Sequence, residues 1–196
     1  MLPYTPIREC VKRNVPMPLS PCHLSSETSP CHLKSDSPWQ ALQCDLNRAV
    51  EGALEVVGSQ LNAHGVRVDL LREDSLPPAL GDSVRLEEVV INLAVNAMQA
   101  LDRTGKEDKR IVLATRAENK KVVLEVRDNA TGVTDTYRDR IFDPFFTTKG
   151  AEGGMGLGLP IVEAIVAAFK GNIVVLNNEM GGATFKVELP ADGINN

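Results

Sequence analysis

The sequence predicts an α+β fold, a two-layer sandwich in which about three helices cover one face of a sheet of about five strands. Apolar residues recur at helical spacing in three segments, and they alternate with polar residues in five shorter segments. The helices do not alternate regularly with the strands along the chain. That order favours α+β over a regular α/β arrangement.

The N-terminal half of the pattern contains two helices and one strand. A helical face begins at Asp45 and ends at Gly65, and residues 66–71 alternate as a strand. The segment PPALGD (77–82) is predicted as a loop. Its final aspartate is a preferred N-cap residue, so it is expected to start the helix of residues 83–101.

The C-terminal half is predicted to hold a β-hairpin, a short helical piece, a longer helix and a second pair of strands. A glycine directly after the longer helix is expected to end it. The predicted elements are, in order, strands 110–117 and 121–128 with a three-residue break, helical residues 137–142, helix 160–171 up to Gly171, and strands 172–178 and 183–190 around the turn 179–182.

The composition is that of a globular protein with an acidic balance. Of the 196 residues 43% are hydrophobic, and the formal net charge is −5. This charge argues against a nucleic-acid partner, because nothing would neutralise a run of phosphates, but it leaves a small anionic ligand open. No apolar run reaches the roughly 18 residues that span a bilayer, so a cytoplasmic location without membrane contact is expected.

Residues 1–38 are rich in proline and serine and show no helical or strand period. They are predicted to be a disordered arm or a non-native extension, followed by one domain over residues 39–196. A short repeat in the arm carries four candidate zinc ligands, Cys22, His23, Cys31 and His32. These adjacent Cys-His pairs lack the short loops that zinc sites use, so a zinc site is disfavoured.

A glycine-rich segment precedes the last predicted helix. Gly154, Gly156 and Gly158 allow close approach of the backbone to a ligand, and the free N–H groups of a helix N-terminus favour an anion. The segment therefore predicts a phosphate-binding turn. A simple packing turn is the alternative, since the pattern is neither a Walker motif nor a dinucleotide fingerprint.

The helix of residues 83–101 carries a polar stripe on an otherwise apolar surface. Glu88, Asn92 and Asn96 are spaced by four and so lie on one face. Polar groups on a buried helix need partners. The stripe predicts either an internal hydrogen-bond network or solvated edge, or a site where neutral amide oxygens meet phosphates and Mg²⁺.

Four segments together carry a family resemblance. They are VRLEEVVINLAVNAMQAL (84–101), DNATGV (128–133), RIFDPFFTTKG (140–150) and GGMGLGL (153–159). In order and approximate spacing they resemble the N, G1, F and G2 boxes of sensor histidine kinase catalytic domains, which are Bergerat-fold (GHKL) ATPases. The resemblance extends from about residue 45 to residue 190, and FDPFFTTK looks most like the nitrogen-regulation and dicarboxylate-sensor kinases. It implies ATP and Mg²⁺ as cofactors and a mixed sheet.

The resemblance also implies roles for individual residues. Asn96 matches the asparagine that binds Mg²⁺, and Asn92 lies one turn earlier, facing the phosphates. Asp128 matches the aspartate that accepts a hydrogen bond from the adenine amine, which distinguishes adenine from guanine. The remaining expected nucleotide-binding residues are Gly132 of the G1 box, Gly154, Gly156, Leu157 and Gly158 of the G2 box, and Thr184, which would support the adenine through its hydroxyl.

Residues 142–154 resemble the mobile lid over the nucleotide. Phe145 and Phe146 would be its aromatic anchor, and plain core packing is the alternative for both. Lys149 is the nearest cation that could meet a phosphate, and a solvated loop charge is the alternative for it.

The chain departs from the family pattern in two features. The pattern D-x-G-x-G has Ala130 in place of its first glycine, and if that position needs a positive φ, the methyl group costs on the order of 1 kcal/mol or more. Restoring glycine is then expected to improve ATP affinity. None of the histidines, His23, His32 and His64, lies in the family's phosphoacceptor motif.

The resemblance therefore implies transfer of phosphate from ATP to a histidine on a separate dimerisation domain, and relay to a response regulator receiver domain. A hydrolysing ATPase of the same fold is one alternative, but those enzymes have a glutamate where this chain has Asn92. A docking module that has lost nucleotide binding through Ala130 is the other.

Overall fold

The computed structural model describes residues 43–148 and 155–191, which belong to one unit of the chain, residues 37–196. The predicted arm, its cysteine and histidine repeat, and the predicted boundary at residue 38 lie outside the described residues. Within them the elements are, in order, β1 (Gln43–Cys44), α1 (Leu46–Ala63), β2 (Val66–Arg72), β3 (Ala79–Leu80), α2 (Ser83–Asp102), β4 (Lys109–Glu118), β5 (Lys121–Asp128), α3 (Asp135–Arg138), α4 (Gly158–Ala168), β6 (Asn172–Asn177) and β7 (Ala183–Pro190).

Five of the strands form one mixed sheet in the order β2-β4-β5-β7-β6. β2 runs parallel to β4, and the other neighbouring pairs are antiparallel. α2 packs between α1 and α4, and it lies against the central strands β4 and β5. The predicted α+β sandwich with helices on one sheet face is confirmed.

The two long helices begin where the sequence predicts. The carboxylate of Asp45 accepts the amides of Asn47 (3.0 Å) and Arg48 (3.2 Å) at the start of α1. Asp82 accepts the amide of Arg85 (3.0 Å) at the start of α2. Such caps satisfy amides that have no partner within the helix. Gly65 takes a φ of +69° and ends α1 as expected.

The core lies between the helices and the inner face of the sheet. Alternate strand residues point into it, because side chains of a strand alternate between its two faces. The largest fully buried side chains include Leu46, Leu61, Leu86, Leu93, Leu101, Ile111, Leu113, Leu124 and Leu189. None of the helices in the described residues is long and apolar enough to cross a membrane.

The outer face of the sheet is covered by ion pairs, both between neighbouring strands and along one strand. Arg116 pairs with Glu125 (2.8 Å), and Glu188 pairs with Lys121 (2.7 Å) and Lys186 (2.8 Å). The hydrogen bonds from Lys121 and then Lys186 lower the pKa of Glu188 to about 2. This face is therefore charged and needs no second helical layer.

Two local predictions differ from the structure. The loop PPALGD contains β3, which pairs antiparallel with β1 in a small second sheet, and strands of two residues are too short to show a period. The hairpin break has two residues rather than three, because Glu118 pairs with Lys121. Asn119 and Lys120 take φ values of 50° and 63°, as a tight two-residue turn requires.

The helical predictions near the C-terminus also need correction. α3 covers 135–138 instead of 137–142, and α4 covers 158–168 instead of 160–171. Lys170, with a φ of 58°, takes the left-handed position that ends α4, not Gly171. Gly171 is needed for another reason, since a Cβ atom there would lie 2.6 Å from the carbonyl oxygen of Glu188.

The centre of α2 gives a test of this packing. Leu93 is 0% exposed, so Leu93→Ala is expected to lower the free energy of unfolding by about 2–5 kcal/mol through lost burial and a residual cavity. Val84 lies on the same helix but is 67% exposed, so Val84→Ala should change the free energy of unfolding by about 0.5 kcal/mol or less. Urea unfolding of both variants is the measurement, and equal effects would contradict this description of the core.

Candidate functional site

The predicted site residues lie where several elements end at one edge of the sheet. β5 ends at Asp128, and because β7 is antiparallel to it, β7 begins at the same edge with Ala183. The first residues of β4 also lie there, since Ile111 pairs with Asp128. The topology thus places the loop after β5 beside the turn before β7.

Asp128 is the central polar group of this edge. Its side chain is buried, with 2% exposure, and its Oδ1 accepts the amides of Ala130 (2.9 Å) and Ala183 (3.1 Å). Burial raises the pKa of the Asp128 carboxyl, whereas the two amides and the charge of Lys106 lower it. In the described residues both hydrogen bonds end on the same carboxylate oxygen, so Oδ2 is the oxygen suited to a ligand donor.

The residue before Ala183 must be glycine. A Cβ atom at Gly182 would lie 2.4 Å from Asp128 Oδ1 and 2.1 Å from the Asp128 carbonyl oxygen. Any side chain at this position would displace Asp128. Sequence reasoning assigned Gly182 to a turn and missed this close approach.

Ala130 is not strained in this structure. It does not adopt a positive φ, and its buried methyl group packs into the apolar core. The left-handed conformation falls on Gly132, with a φ of 72°. Ala130 therefore carries no penalty from a positive φ. This loop gives no structural support to the alternative of a docking module that has lost nucleotide binding.

Two asparagines that sequence reasoning did not single out hold the loops of the site. The side chain of Asn177 accepts the amide of Val133 (2.8 Å) and donates to its carbonyl (3.0 Å). Asn178 donates to the carbonyls of Asp128 (3.0 Å) and Ala183 (2.9 Å). The signal in the sequence was a pair of adjacent asparagines before a glycine turn, where such side chains bond to backbone groups.

Thr184 reaches the site only through Asn178. Alternation along β7 puts Ala183 and Phe185 on the helical side and Thr184 on the opposite face of the sheet. The Thr184 hydroxyl accepts from Asn178 Nδ2 at 3.3 Å. Direct support of the adenine by this hydroxyl stays a prediction, and the structure does not place Thr184 on the face that Asp128 occupies.

The polar stripe of α2 meets the start of α4. Asn92 and Asn96 are half-buried on neighbouring turns, and Asn92 Nδ2 donates to the carbonyl of Glu88 (2.8 Å). This bond leaves Asn92 Oδ1 directed away, and a Cβ atom at Gly158 would lie 3.1 Å from it. Asn92 and the N-terminus of α4 are thus adjacent, as a shared phosphate site requires.

The start of α4 offers backbone N–H groups. Leu157 occupies the N-cap position, and its apolar side chain makes no capping hydrogen bond. The amides of Gly158 and Leu159 belong to the first turn, whose N–H groups have no partner within a helix. This arrangement suits an anion. Lys149 and Gly154, which were expected beside it, lie outside the described residues.

The described part of the predicted lid contacts Gly156. Its carbonyl accepts the amide of Phe145 (3.0 Å), and its φ is +66°. A Cβ atom at Gly156 would lie 2.6 Å from the carbonyl oxygen of Phe146. Glycine is therefore required at position 156 by close approach to the backbone of Phe146, which is a packing role, and a phosphate contact of this turn stays a prediction.

The two phenylalanines of the lid behave differently. The Phe146 ring lies 5.7 Å from the Tyr137 ring and 4.6 Å from the Arg140 guanidinium, which anchors it. Phe145 is 73% exposed and takes a φ of 66°, a conformation that bulky residues rarely adopt. Core packing, the alternative for both residues, does not describe Phe145.

Comparison with known proteins identifies the relatives of this site. A family model described as histidine kinase-, DNA gyrase B-, and HSP90-like ATPase matches residues 81–193. The sensor histidine kinase ZraS of Escherichia coli K12 is 35% identical over 154 residues, which cover 78% of this chain and 32% of ZraS. The C4-dicarboxylate transport sensor protein DctB of Rhizobium meliloti is 38% identical over 148 residues, which cover 74% of this chain and 22% of DctB. The chain spans about a third or less of the curated relatives that it matches.

Solved structures agree with these relatives. The nucleotide-free catalytic domain of the histidine kinase ThkA superposes with a TM-score of 0.68 and 25% identity, over 78% of this chain and 96% of that domain. Full-length ShkA in complex with AMPPNP superposes with a TM-score of 0.66 and 28% identity, over 78% of this chain and 31% of ShkA. The Bergerat-type sandwich that the resemblance implied is confirmed.

The tight approach at Gly132 gives a test of the loop geometry. Gly132→Ala adds a Cβ atom 2.6 Å from Asn177 Oδ1 and requires a positive φ of an L-residue, so it is expected to lower the free energy of unfolding by more than the roughly 1 kcal/mol of the φ penalty alone. Gly65→Ala is the matched control, because Gly65 has a φ of +69° with open space around it. Chemical denaturation that gave the same loss for both variants would refute the contact with Asn177.

Proposed function

The chain belongs to the family of histidine kinase-, DNA gyrase B- and HSP90-like ATPases, as an ATP-binding catalytic domain of the sensor histidine kinase type, and we propose that it transfers the γ-phosphate of ATP to a histidine on a separate dimerisation domain. The buried Asp128, with one carboxylate oxygen held by two amides, is the observation that carries the proposal. Its neighbours supply the rest of the nucleotide site.

Asp128 would bind the adenine. A carboxylate accepts from the exocyclic amine of adenine, and guanine has a carbonyl at the same place, which would repel it. The amides of Ala130 and Ala183 fix the plane of the carboxylate, so little conformational entropy remains to be lost on binding. Gly132, in the loop after β5, would serve the pocket through its left-handed backbone conformation, which lets the loop turn beside Asp128.

The phosphates would lie between α2 and the start of α4. The amides of Gly158 and Leu159, in the first turn of α4, would donate to phosphate oxygens. Gly156 and Leu157 would shape the turn that leads into this helix. Asn92 would contact phosphate oxygens, because its side chain adjoins Gly158. Lys149 and Gly154 are proposed to complete this turn, and Thr184 to act on the adenine side through Asn178.

Asn96 would hold Mg²⁺ through its amide oxygen. The donor set fits, since Mg²⁺ takes hard oxygen ligands, and no cluster of three acidic, histidine or cysteine side chains in the described residues competes for it. Mg²⁺, when bound, would neutralise part of the phosphate charge. The chain itself contributes positioning and charge stabilisation, while the acceptor histidine acts as the nucleophile.

An apolar surface beside the lid would receive the dimerisation domain. Phe145 and Met155 are highly exposed at the start of this surface, and Ile161 and Ala164 continue it along the outer side of α4. Exposed apolar residues of this kind mark a protein contact. We propose that a helical hairpin bearing the acceptor histidine docks here, that a response regulator receiver domain takes the phosphate onward, and that the domain works in the cytoplasm.

Hydrolysis of ATP to drive a conformational change is disfavoured. That branch of the family uses a glutamate, one turn before the metal asparagine, to activate water. Asn92 occupies this position, and its neutral amide has no basic atom to take a proton from water. Transfer to a histidine needs no such base on this domain.

Substitutions at two positions test nucleotide binding. Asp128→Asn keeps an oxygen for the amides of Ala130 and Ala183 but offers an amino group where the adenine amine needs an acceptor. Asn96→Ala removes the proposed metal ligand. Both variants are expected to abolish calorimetric binding of ATP in the presence of Mg²⁺, whereas Asn62→Ala, an exposed change on α1, should leave it intact. Undiminished ATP affinity in both site variants would sink the assignment.

A matched pair of surface substitutions tests phosphotransfer. Ile161 on α4 and Val174 on β6 are both 37% exposed. Ile161→Glu places a charge in the proposed docking surface, so the rate of phosphohistidine formation on a dimerisation domain supplied in trans should fall about tenfold or more, with ATP affinity unchanged. Val174→Glu should leave both quantities unchanged. Radiolabel transfer from ATP is the measurement, and equal rates for the two variants would exclude docking on α4.

A further inference from the structure

The connection between α2 and β4, residues 103–108, lies against the loop that carries Ala130. Thr104 fixes its conformation, because the Thr104 hydroxyl donates to the carbonyl of Leu101 (2.7 Å) and accepts the amide of Lys106 (3.1 Å). The main chain of Lys106 therefore starts from a defined position. Its side chain extends from there to the loop after β5.

Several hydrogen bonds join this connection to the loop. Lys106 Nζ donates to the carbonyl of Asn129 and to the carbonyl of Ala130 (3.3 Å). The side chain of Asn129 accepts the amide of Arg110 (2.8 Å) and donates to the carbonyl of Asp108 (2.8 Å). The loop is thus held at two consecutive carbonyls by one ammonium group and at its side chain by the start of β4.

We propose that Lys106 is a positioning residue of the adenine pocket, which holds the carbonyls of Asn129 and Ala130 so that the Ala130 amide stays on Asp128. The Ala130 amide donates to Asp128 Oδ1 at 2.9 Å, so a shift of this loop would release the carboxylate that faces the base. The proposal deepens the function proposed above and rests on it. Lys106 acts through the loop and needs no contact with the nucleotide.

The charge of Lys106 acts in the same direction as its hydrogen bonds. Burial raises the pKa of Asp128, and the groups that oppose this are the amide of Ala130 in the loop, the amide of Ala183 on β7, and Lys106 on the α2–β4 connection. Both oxygens of an ionised carboxylate can accept a hydrogen bond from the adenine amine, whereas protonation of Asp128 converts one of them into a donor. Loss of the Lys106 charge should raise the pKa of Asp128 further, so binding should fail at a higher pH as the solution is acidified.

A direct phosphate contact by Lys106 is the competing explanation, and the choice of ligand separates the two. Adenosine shares the base of ATP and lacks its phosphates. A loop-positioning residue affects both ligands by the same factor, because both use Asp128. A phosphate-binding lysine affects ATP alone.

The test compares three variants of the full chain by calorimetry, with ATP plus Mg²⁺ and with adenosine, between pH 5 and pH 8. Lys106→Met removes the charge and the donors, and Lys106→Arg keeps both. Lys121→Met is the matched control, because Lys121 is an exposed lysine paired with Glu188 (2.7 Å) at the opposite end of β5. Thermal melts of all three variants check that they fold.

Lys106→Met is expected to weaken both ligands by the same factor, about threefold to tenfold, as for the loss of charge-assisted hydrogen bonds. As the solution is acidified, Lys106→Met should lose binding at a higher pH than the unsubstituted chain. Lys106→Arg should restore affinity to within about twofold, and Lys121→Met should leave the affinity for both ligands unchanged. Unchanged affinity in Lys106→Met, or a loss confined to ATP, would overturn the role of Lys106. If the unsubstituted chain bound neither ligand, the proposed function itself would fail.

Discussion

The buried carboxylate of Asp128 is the interaction on which the rest of the site depends. It ends β5, receives an amide from the following loop and another from the start of β7, and so joins the end of β5 and its loop to a strand that is distant in sequence. Burying a carboxylate is costly unless its oxygens find donors, and here two main-chain amides supply them. The same packing excludes any side chain at position 182. One polar group therefore determines the geometry of the proposed adenine pocket and the residue types around it.

The turn before β7 gives this carboxylate its rigidity. The Asn178 side chain donates to two carbonyls and accepts the amides of Met180 (3.0 Å) and Gly182 (3.1 Å). One side chain therefore supplies hydrogen-bond partners to four main-chain groups around the turn. Asn177 does the same for Val133 on the opposite side of the pocket. Neither residue needs to touch the ligand, because each determines the position of a loop through its side-chain hydrogen bonds.

The sequence was sufficient for the features that depend on local chemistry or on period. The sandwich, the Asp82 cap, the start of α1 near Asp45, Gly65 and the five long strands follow from such signals. Features that depend on contacts between distant segments were not accessible. A positive φ at Lys170 and at Phe145 contradicts intrinsic preference, and only tertiary packing selects it. Ala130 shows the converse, because the expected strain rested on a backbone conformation that the loop does not adopt. Thr184 was predicted from a motif, whereas the face of β7 on which it lies depends on strand register.

The acidic balance of the chain is compatible with a phosphate ligand because main-chain amides at the start of α4 create a positive potential locally. A net charge of −5 acts over the whole surface and is screened beyond about 10 Å at ordinary ionic strength. The amides at the start of α4 act at hydrogen-bond distance and are not screened in this way. The amide side chains of α2 would add oxygen ligands without adding negative charge that would repel a phosphate. A site built from carboxylates would bind a metal ion more strongly by itself, but it would oppose the triphosphate that has to accompany the metal. The neutral stripe of Asn92 and Asn96 is therefore the arrangement expected where metal and nucleotide bind together.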